Sequence, residues 1–240
     1  MIDFHTHILP NQADNIIQNF GSDEVFKEMF DNNKETSDYS KLLKNMSNHS
    51  ISKSVILGYG WTNFEVLKMS NSYNLDCASD NKELIPFCSV NPRFGKKSND
   101  ELERCISLGA KGIGEIHPTV QNLEMNDLEI WKDTMQLALN AGLPISIHCS
   151  EPVGHIYPGK GNTELNKIYE FIKLFPKNKI VLSHWGGGLF FYELMKEVKD
   201  VSQNVYYDTA ATSYLYSKNI FEVSLKIIGP EKILFGSDFP

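Results

Sequence analysis

A (β/α)8 barrel is the fold class this sequence predicts. Short β-branched or apolar runs recur along it, near residues 2–6, 53–57, 84–90, 111–116, 144–149, 179–184, 204–208 and 232–237. Most of their centres lie about 25–35 residues apart, room for one strand, one helix and two short loops. The intervals carry helix signals, and strands alternating with helices pair in parallel through crossovers. No glycine fingerprint of dinucleotide or Walker type follows the first run, which removes the main reason to prefer an open doubly wound sheet. The expectation is one barrel domain over residues 1–240, without an internal linker.

The helices are justified in turn. Ser98 with Glu101 has the spacing of a capping box; Leu102, Cys105 and Ile106 then form a stripe that Gly109 ends. Asn126 and Glu129 open the next helix, Trp131, Met135 and Ala138 line one face, and Gly142-Leu143-Pro144 stops it. Leu165, Ile168, Tyr169 and Ile172 repeat the pattern up to Pro176. Two places depart from regular spacing. The first interval is roughly 20 residues too long for a barrel repeat. Its extra stretch, near 10–37, is polar and acidic with Phe20, Phe26 and Phe30 interleaved, and is expected to form a flap over the active face. At the other end, Pro240 follows the eighth strand directly, so the barrel is expected to lack its eighth helix. The apolar surface left over strands eight and one would lower stability or favour a homo-oligomer.

Composition excludes several functions. The chain is 41% apolar and 22% charged, with 30 acidic against 23 basic side chains and a net charge of −7. Arg93 and Arg104 are its only arginines. Nucleic-acid binding draws on basic side chains, so no nucleic-acid partner is expected. No apolar run approaches the roughly 18 residues of a membrane span, and Met1-Ile2-Asp3-Phe4-His5 is no signal peptide. Cys77, Cys88, Cys105 and Cys149 show no paired spacing, which suits a reducing cytoplasm. The expected partner is a small-molecule substrate.

Barrel enzymes place their chemistry at the C-terminal ends of the strands. His5 and His7 leave strand one at period two, His148 ends strand five, His184 ends strand six, Asp238 follows strand eight and Glu115 lies on strand four. Burying so many imidazoles and carboxylates together calls for a cation, and three or more N/O donors with an open position suit a zinc-like ion. Glu115, sharing strand parity with Ile113, should point inward as a ligand or a partner of one, with Gly112 and Gly114 facing the helices. Asp3 reads either as a support for the ligands or as a structural carboxylate. His117 and His155 either face substrate or are ordinary loop histidines, and His49 should face solvent. Cys149 should point away from His148. Trp185-Gly186-Gly187-Gly188 reads either as an anion-binding helix start or as a tight turn that needs glycine. Arg93, Lys160 and His117 are the candidate substrate-binding residues.

Asp3-Phe4-His5-Thr6-His7, His148, Ser183-His184-Trp185-Gly186-Gly187 and Gly236-Ser237-Asp238-Phe239-Pro240 together resemble the amidohydrolase superfamily. They are similar to its amidohydrolase-related branch, which includes aminocarboxymuconate-semialdehyde decarboxylase-like enzymes and lactone hydrolases. The resemblance implies one divalent ion, usually zinc, held by His5, His7, His148 and Asp238, with His184 beside it as acid/base or ligand. Glu115 departs from the decarboxylase pattern and is similar to the strand-four glutamate of TatD-type hydrolases, which admits a second metal. Those decarboxylases tend to grip the substrate carboxylate with an arginine after strand one, where this chain has none. The leading expectation is therefore metal-assisted hydrolysis of a small ester, lactone or amide. Asp238 would orient water and take its proton, and His184 would serve the oxyanion or the leaving group. The alternatives are decarboxylation of an unsaturated acid, a TatD-like nuclease and a metal-binding scaffold without turnover.

Overall fold

Eight parallel strands lie side by side in chain order: β1 (Ile2–His7), β2 (Lys53–Leu57), β3 (Leu84–Cys88), β4 (Gly112–Ile116), β5 (Ile145–Ile147), β6 (Ile180–Leu182), β7 (Val205–Asp208) and β8 (Ile233–Leu234). The structure is a computed structural model and describes residues 1–11, 17–30 and 36–240. Backbone bonds from Phe4 N to Phe235 O (2.6 Å), Asp238 N to His5 O (3.0 Å) and His7 N to Phe239 O (2.8 Å) join the last strand to the first. The helices are α1 (Ile17–Phe20), α2 (Glu24–Phe30), α3 (Tyr39–Asn48), α4 (Phe64–Asp80), α5 (Lys96–Ser107), α6 (Leu128–Ala141), α7 (Leu165–Leu174), α8 (Lys196–Val201), α9 (Thr212–Leu215) and α10 (Asn219–Ile228). This is the expected (β/α)8 barrel.

Alternation along the strands separates core from site. Ile145 and Ile147 of β5 and Ile180 and Leu182 of β6 join Trp131 and Met135 of α6 and Phe171 of α7 in the main apolar cluster. Each such side chain contributes about 1.5–3 kcal/mol by leaving water. The opposite parity carries Ser146, His148 and Ser183 into the barrel, where the Ser146 and Ser183 hydroxyls bond at 3.2 Å. Cys149 is buried in the outer cluster, on the side away from His148, and His49 caps α3 in solvent, both as expected.

Two local expectations are corrected. α5 starts at Lys96 after Gly95, with no side-chain cap, so Ser98 and Glu101 are buried inside the helix rather than boxing its end. Glu101 instead accepts from Arg104 (2.7 Å) and Asn71 (3.0 Å); those partners outweigh its burial and hold its carboxyl below the usual range. Strand four does not keep one parity either. Ile113 and Ile116 both pack in the outer cluster, and the pairing with β5 shifts register between them. A Cβ on Gly112 would strike the Phe87 ring at 2.2 Å, and one on Gly114 would lie 2.5 Å from Ser146 O. Gly114, at φ +126°, absorbs the irregularity and faces inward, which lets Glu115 face inward too.

The long β1–β2 connection contributes α1 and α2; its residues 12–16 and 31–35 lie outside the described residues. Phe20 and Val25 cluster with Leu9, Trp61 and Val66. Asp23, with no exposure, ties the segment down: its carboxylate accepts from Val25 N (2.8 Å), Thr62 N (2.8 Å) and Asn63 N (2.7 Å). Asp23→Ala would leave one buried and two half-buried N–H groups without this acceptor and should cost about 2–3 kcal/mol in urea unfolding. It should also raise hydrogen exchange over residues 17–30. An unchanged unfolding midpoint would contradict this anchoring role.

Candidate metal centre

The site is built from strand ends. His5 Nδ1 lies 2.9 Å from Oδ2 of Asp208, a residue with no exposure at the end of β7. The other oxygen, Oδ1, accepts from His184 N (2.9 Å) and Ala210 N (3.1 Å). A carboxylate on Nδ1 holds a proton there and leaves Nε2 as the nitrogen that faces the barrel, where it would give its lone pair to a bound cation. Nε2 of His5 then stands 3.0 Å from Nε2 of His7 and 3.3 Å from Oδ1 of Asp238. His7 is stacked on Tyr59 (4.5 Å between centroids), and its Nδ1 has no hydrogen-bond partner among the described residues.

Glu115 enters the same space from β4. Its Oε1 is 3.2 Å from His148 Nδ1, 3.6 Å from His184 Nε2 and 3.9 Å from His5 Nε2. Burial works against charge on Glu115, but His148 and His5 outweigh it and hold the carboxyl well below its usual range. Burial likewise opposes charge on His5, yet Asp208 and Glu115 push it up to about 10. Burial and the His5 charge push His7 down to about 4. The clustered carboxylates thus favour a charged His5, and a divalent cation would offset more of their charge.

The donor set fits such an ion. Ligand atoms about 2.1 Å from one centre stand about 3.0–3.4 Å apart in octahedral or tetrahedral array. The separations from His5 Nε2 to His7 and Asp238, 3.0 and 3.3 Å, match. Among the described residues, two groups offer converging donors: His5, His7 and Asp238, and His5, Glu115 and His184. His148 belongs to neither, since its Nδ1 faces Glu115 and its Nε2 bonds Ser150 Oγ at 3.0 Å.

Backbone conformation delivers two of these side chains. His184 and Asp238 have φ of +54° and +65°, each costing about 1–2 kcal/mol for a non-glycine residue. From His184 the left-handed run continues through Trp185, Gly186, Gly187 and Gly188. A Cβ on Gly187 would lie 2.5 Å from Ser150 O, so the glycines serve a close turn against the site. Trp185, buried, pins that turn by donating to Thr212 Oγ1 at 2.8 Å.

A cavity of about 460 Å³ opens above the cluster, lined by His7, Glu115, His148, His184 and Asp238 at its floor. Val25, Glu28, Met29 and Phe30 of the β1–β2 segment form one wall, and Tyr157, Pro158 and Gly159 another. His117 lines it too, but both ring nitrogens face backbone: Nε2 is 3.0 Å from Gly159 O and Nδ1 is 3.4 Å from Val120 N. Its ring lies flat on His148, centroids 3.9 Å apart. Arg93 and Lys160, the two cations named from the sequence, are turned elsewhere. Arg93 donates to Asn122 O (3.0 Å), and Lys160 to the carbonyls of Val153 and His155 (2.9 Å each). His155 lines the cavity from an exposed loop position. Asp3 is buried and accepts from His5 N and Ser237 N, a structural clasp between the first and last strands.

Asp208, Tyr59 and Ser150 escaped the sequence reading. Asp208 did carry a signal, a carboxylate at the end of the seventh strand, where its neighbours supply the other site residues. Tyr59 and Ser150 lie in loops, where nothing in the spacing marks them.

An amidohydrolase family model matches residues 2–240. Comparison with curated proteins gives no match. The chain aligns over 100% of its length, and 86% of the other chain, with 5-carboxyvanillate decarboxylase of Novosphingobium aromaticivorans, at TM-score 0.74 and 13% identity; that structure holds manganese. It aligns likewise with 2,6-dihydroxybenzoate decarboxylase from Rhizobium (TM-score 0.69, 15% identity, 100% and 87% of the two chains). A third likeness is to 4-oxalomesaconate hydratase from Rhodopseudomonas palustris (TM-score 0.66, 16% identity, 99% and 81%). Likeness at such identities speaks for the fold; the family model speaks for descent. With all eight strands and the whole strand-end cluster inside that match, the chain belongs to the amidohydrolase family.

Proposed function

We propose that the protein is a metal-dependent hydrolase of a small ester, lactone or amide. The observation that carries this reading is Asp238: its Oδ1 faces the His5–His7 pair while its side chain stays about 30% exposed to the cavity. One carboxylate thus touches both the metal donors and the space where water and substrate meet. His5, His7 and Asp238 would hold one divalent ion, zinc being our choice, with Glu115 and His184 beside it and His148 supporting Glu115. When bound, such an ion supplies Lewis acidity that polarises a carbonyl and acidifies water.

The chain's own residues do the rest. Asp238 orients the attacking water and accepts its proton. His184, whose Nδ1 donates to Ala210 O at 3.2 Å, presents Nε2 to the cavity floor, where as an imidazolium it donates to the oxyanion or the leaving group. Asp208 keeps His5 in the tautomer that leaves Nε2 free of a proton. The α2 wall, with Met29 and Phe30, closes over the substrate and excludes bulk water. Decarboxylation is the second reading, favoured by the aromatic walls and by the likeness in fold to two aromatic-acid decarboxylases. A small-molecule substrate, a cytoplasmic location and a possible homo-oligomer complete the proposal.

The test is product analysis with zinc- or manganese-loaded protein on a panel of lactones, aryl esters, amides and aromatic acids. Acid release without carbon dioxide supports hydrolysis; carbon dioxide from an aromatic acid overturns it. On the best substrate, Asp238→Asn should lower kcat about 100-fold or more with the fold intact, as loss of a general base does. His117 gives a subtler expectation. His117→Phe keeps a ring on His148 but loses the Gly159 bond, so it should raise KM several-fold with kcat little changed. His117→Ala, losing the ring as well, should lower kcat too. Equal effects of the two variants on both constants would contradict a positioning role.

A further inference from the structure

Resting on the reading that this cavity holds the substrate, we propose that it selects uncharged or cationic substrates bearing a flat apolar group and rejects those with a second, distal anion. The charges facing the cavity lead there. Glu28, Glu115 and Asp238 line it, and Asp208 stands directly behind His5. Among the described residues, no Lys or Arg lines it. The two cations that the sequence offered for an anion are engaged with backbone carbonyls, and Lys160 also lies over the Tyr157 ring at 5.5 Å. One divalent ion offsets two of the four carboxylates, so the space above it keeps a negative field. Inside a cavity, where water screens poorly, another carboxylate is repelled and a cation is drawn in.

The walls say what occupies the rest. Met29 and Phe30 of α2, Tyr157 and Pro158, and Tyr59 and Val120 give the cavity apolar and aromatic walls. Phe30 meets Tyr59 edge-on at 5.8 Å, which holds both rings in place. Such walls suit a planar apolar group, and tyrosine faces also receive cations. Glu28, on the exposed side of α2, is the carboxylate placed to read the far end of the substrate. Its Oε1 accepts from Gly159 N at 3.4 Å, a bond that a glutamine would keep.

The test uses metal-anchored probes that differ only in distal charge: benzohydroxamates with a 4-methyl, 4-aminomethyl or 4-carboxylate group, titrated calorimetrically into the zinc-loaded full chain. The 4-aminomethyl probe should bind at least as tightly as the 4-methyl probe, and the 4-carboxylate about tenfold more weakly than the 4-methyl probe. Glu28→Gln should recover severalfold of the 4-carboxylate binding, weaken the 4-aminomethyl probe and leave the 4-methyl probe unchanged. A 4-carboxylate probe binding as tightly as the 4-methyl probe would overturn the proposal. Should none of the three bind, or binding persist without zinc, the placement of substrate over this cluster fails instead, and the charge selection falls with it.

Discussion

The site depends on one buried carboxylate. Asp208 has no exposure, and a charge held there survives only because three N–H donors converge on it, from the His5 ring and the backbone of His184 and Ala210. Those bonds reach from the end of the seventh strand across the barrel to the first and back to the turn after the sixth. They orient His5 and fix where the left-handed run at His184 begins. The second bond matters as much as the first: together with the Trp185–Thr212 bond, it holds the strained backbone that aims His184 inward.

From that anchor the electrostatics follow a simple balance. Three carboxylates, Glu115, Asp208 and Asp238, meet the imidazoles of His5, His7, His148 and His184 within one barrel mouth, and Asp208 and Glu115 outweigh burial to favour the charged form of His5. A metal ion would offset them with more charge and free His5 to act as a neutral donor. The cavity above inherits what remains, a floor of acids beneath apolar and aromatic walls. The β1–β2 segment supplies one of those walls, and its docking rests on another buried carboxylate, Asp23, which gathers three backbone donors in the same manner as Asp208.

Much of this was legible in the sequence because periodicity reports which face of an element is buried. The eight apolar runs gave the strands to within a few residues, and His5, His7 and Asp238 stood at their ends. Glu115 was placed correctly in space by a wrong argument. Constant parity from Ile113 fails at Gly114, and both isoleucines turn outward while the glutamate turns in. An irregularity of one residue in a strand leaves no mark in composition. Charge alone misled as well. Arg93 and Lys160 lie near the active face in sequence, but a long cation goes where a carbonyl awaits it, and that acceptor is set by loop shape. His117 likewise turns both ring nitrogens to backbone, at Gly159 and Val120.

The most direct measurement is a crystal structure of the metal-loaded protein, with anomalous data collected at the zinc or manganese edge. The account predicts a peak within about 2.0–2.2 Å of His5 Nε2, His7 Nε2 and an Asp238 carboxylate oxygen. Full loading with no peak at this position, or a peak held by other residues, would contradict it.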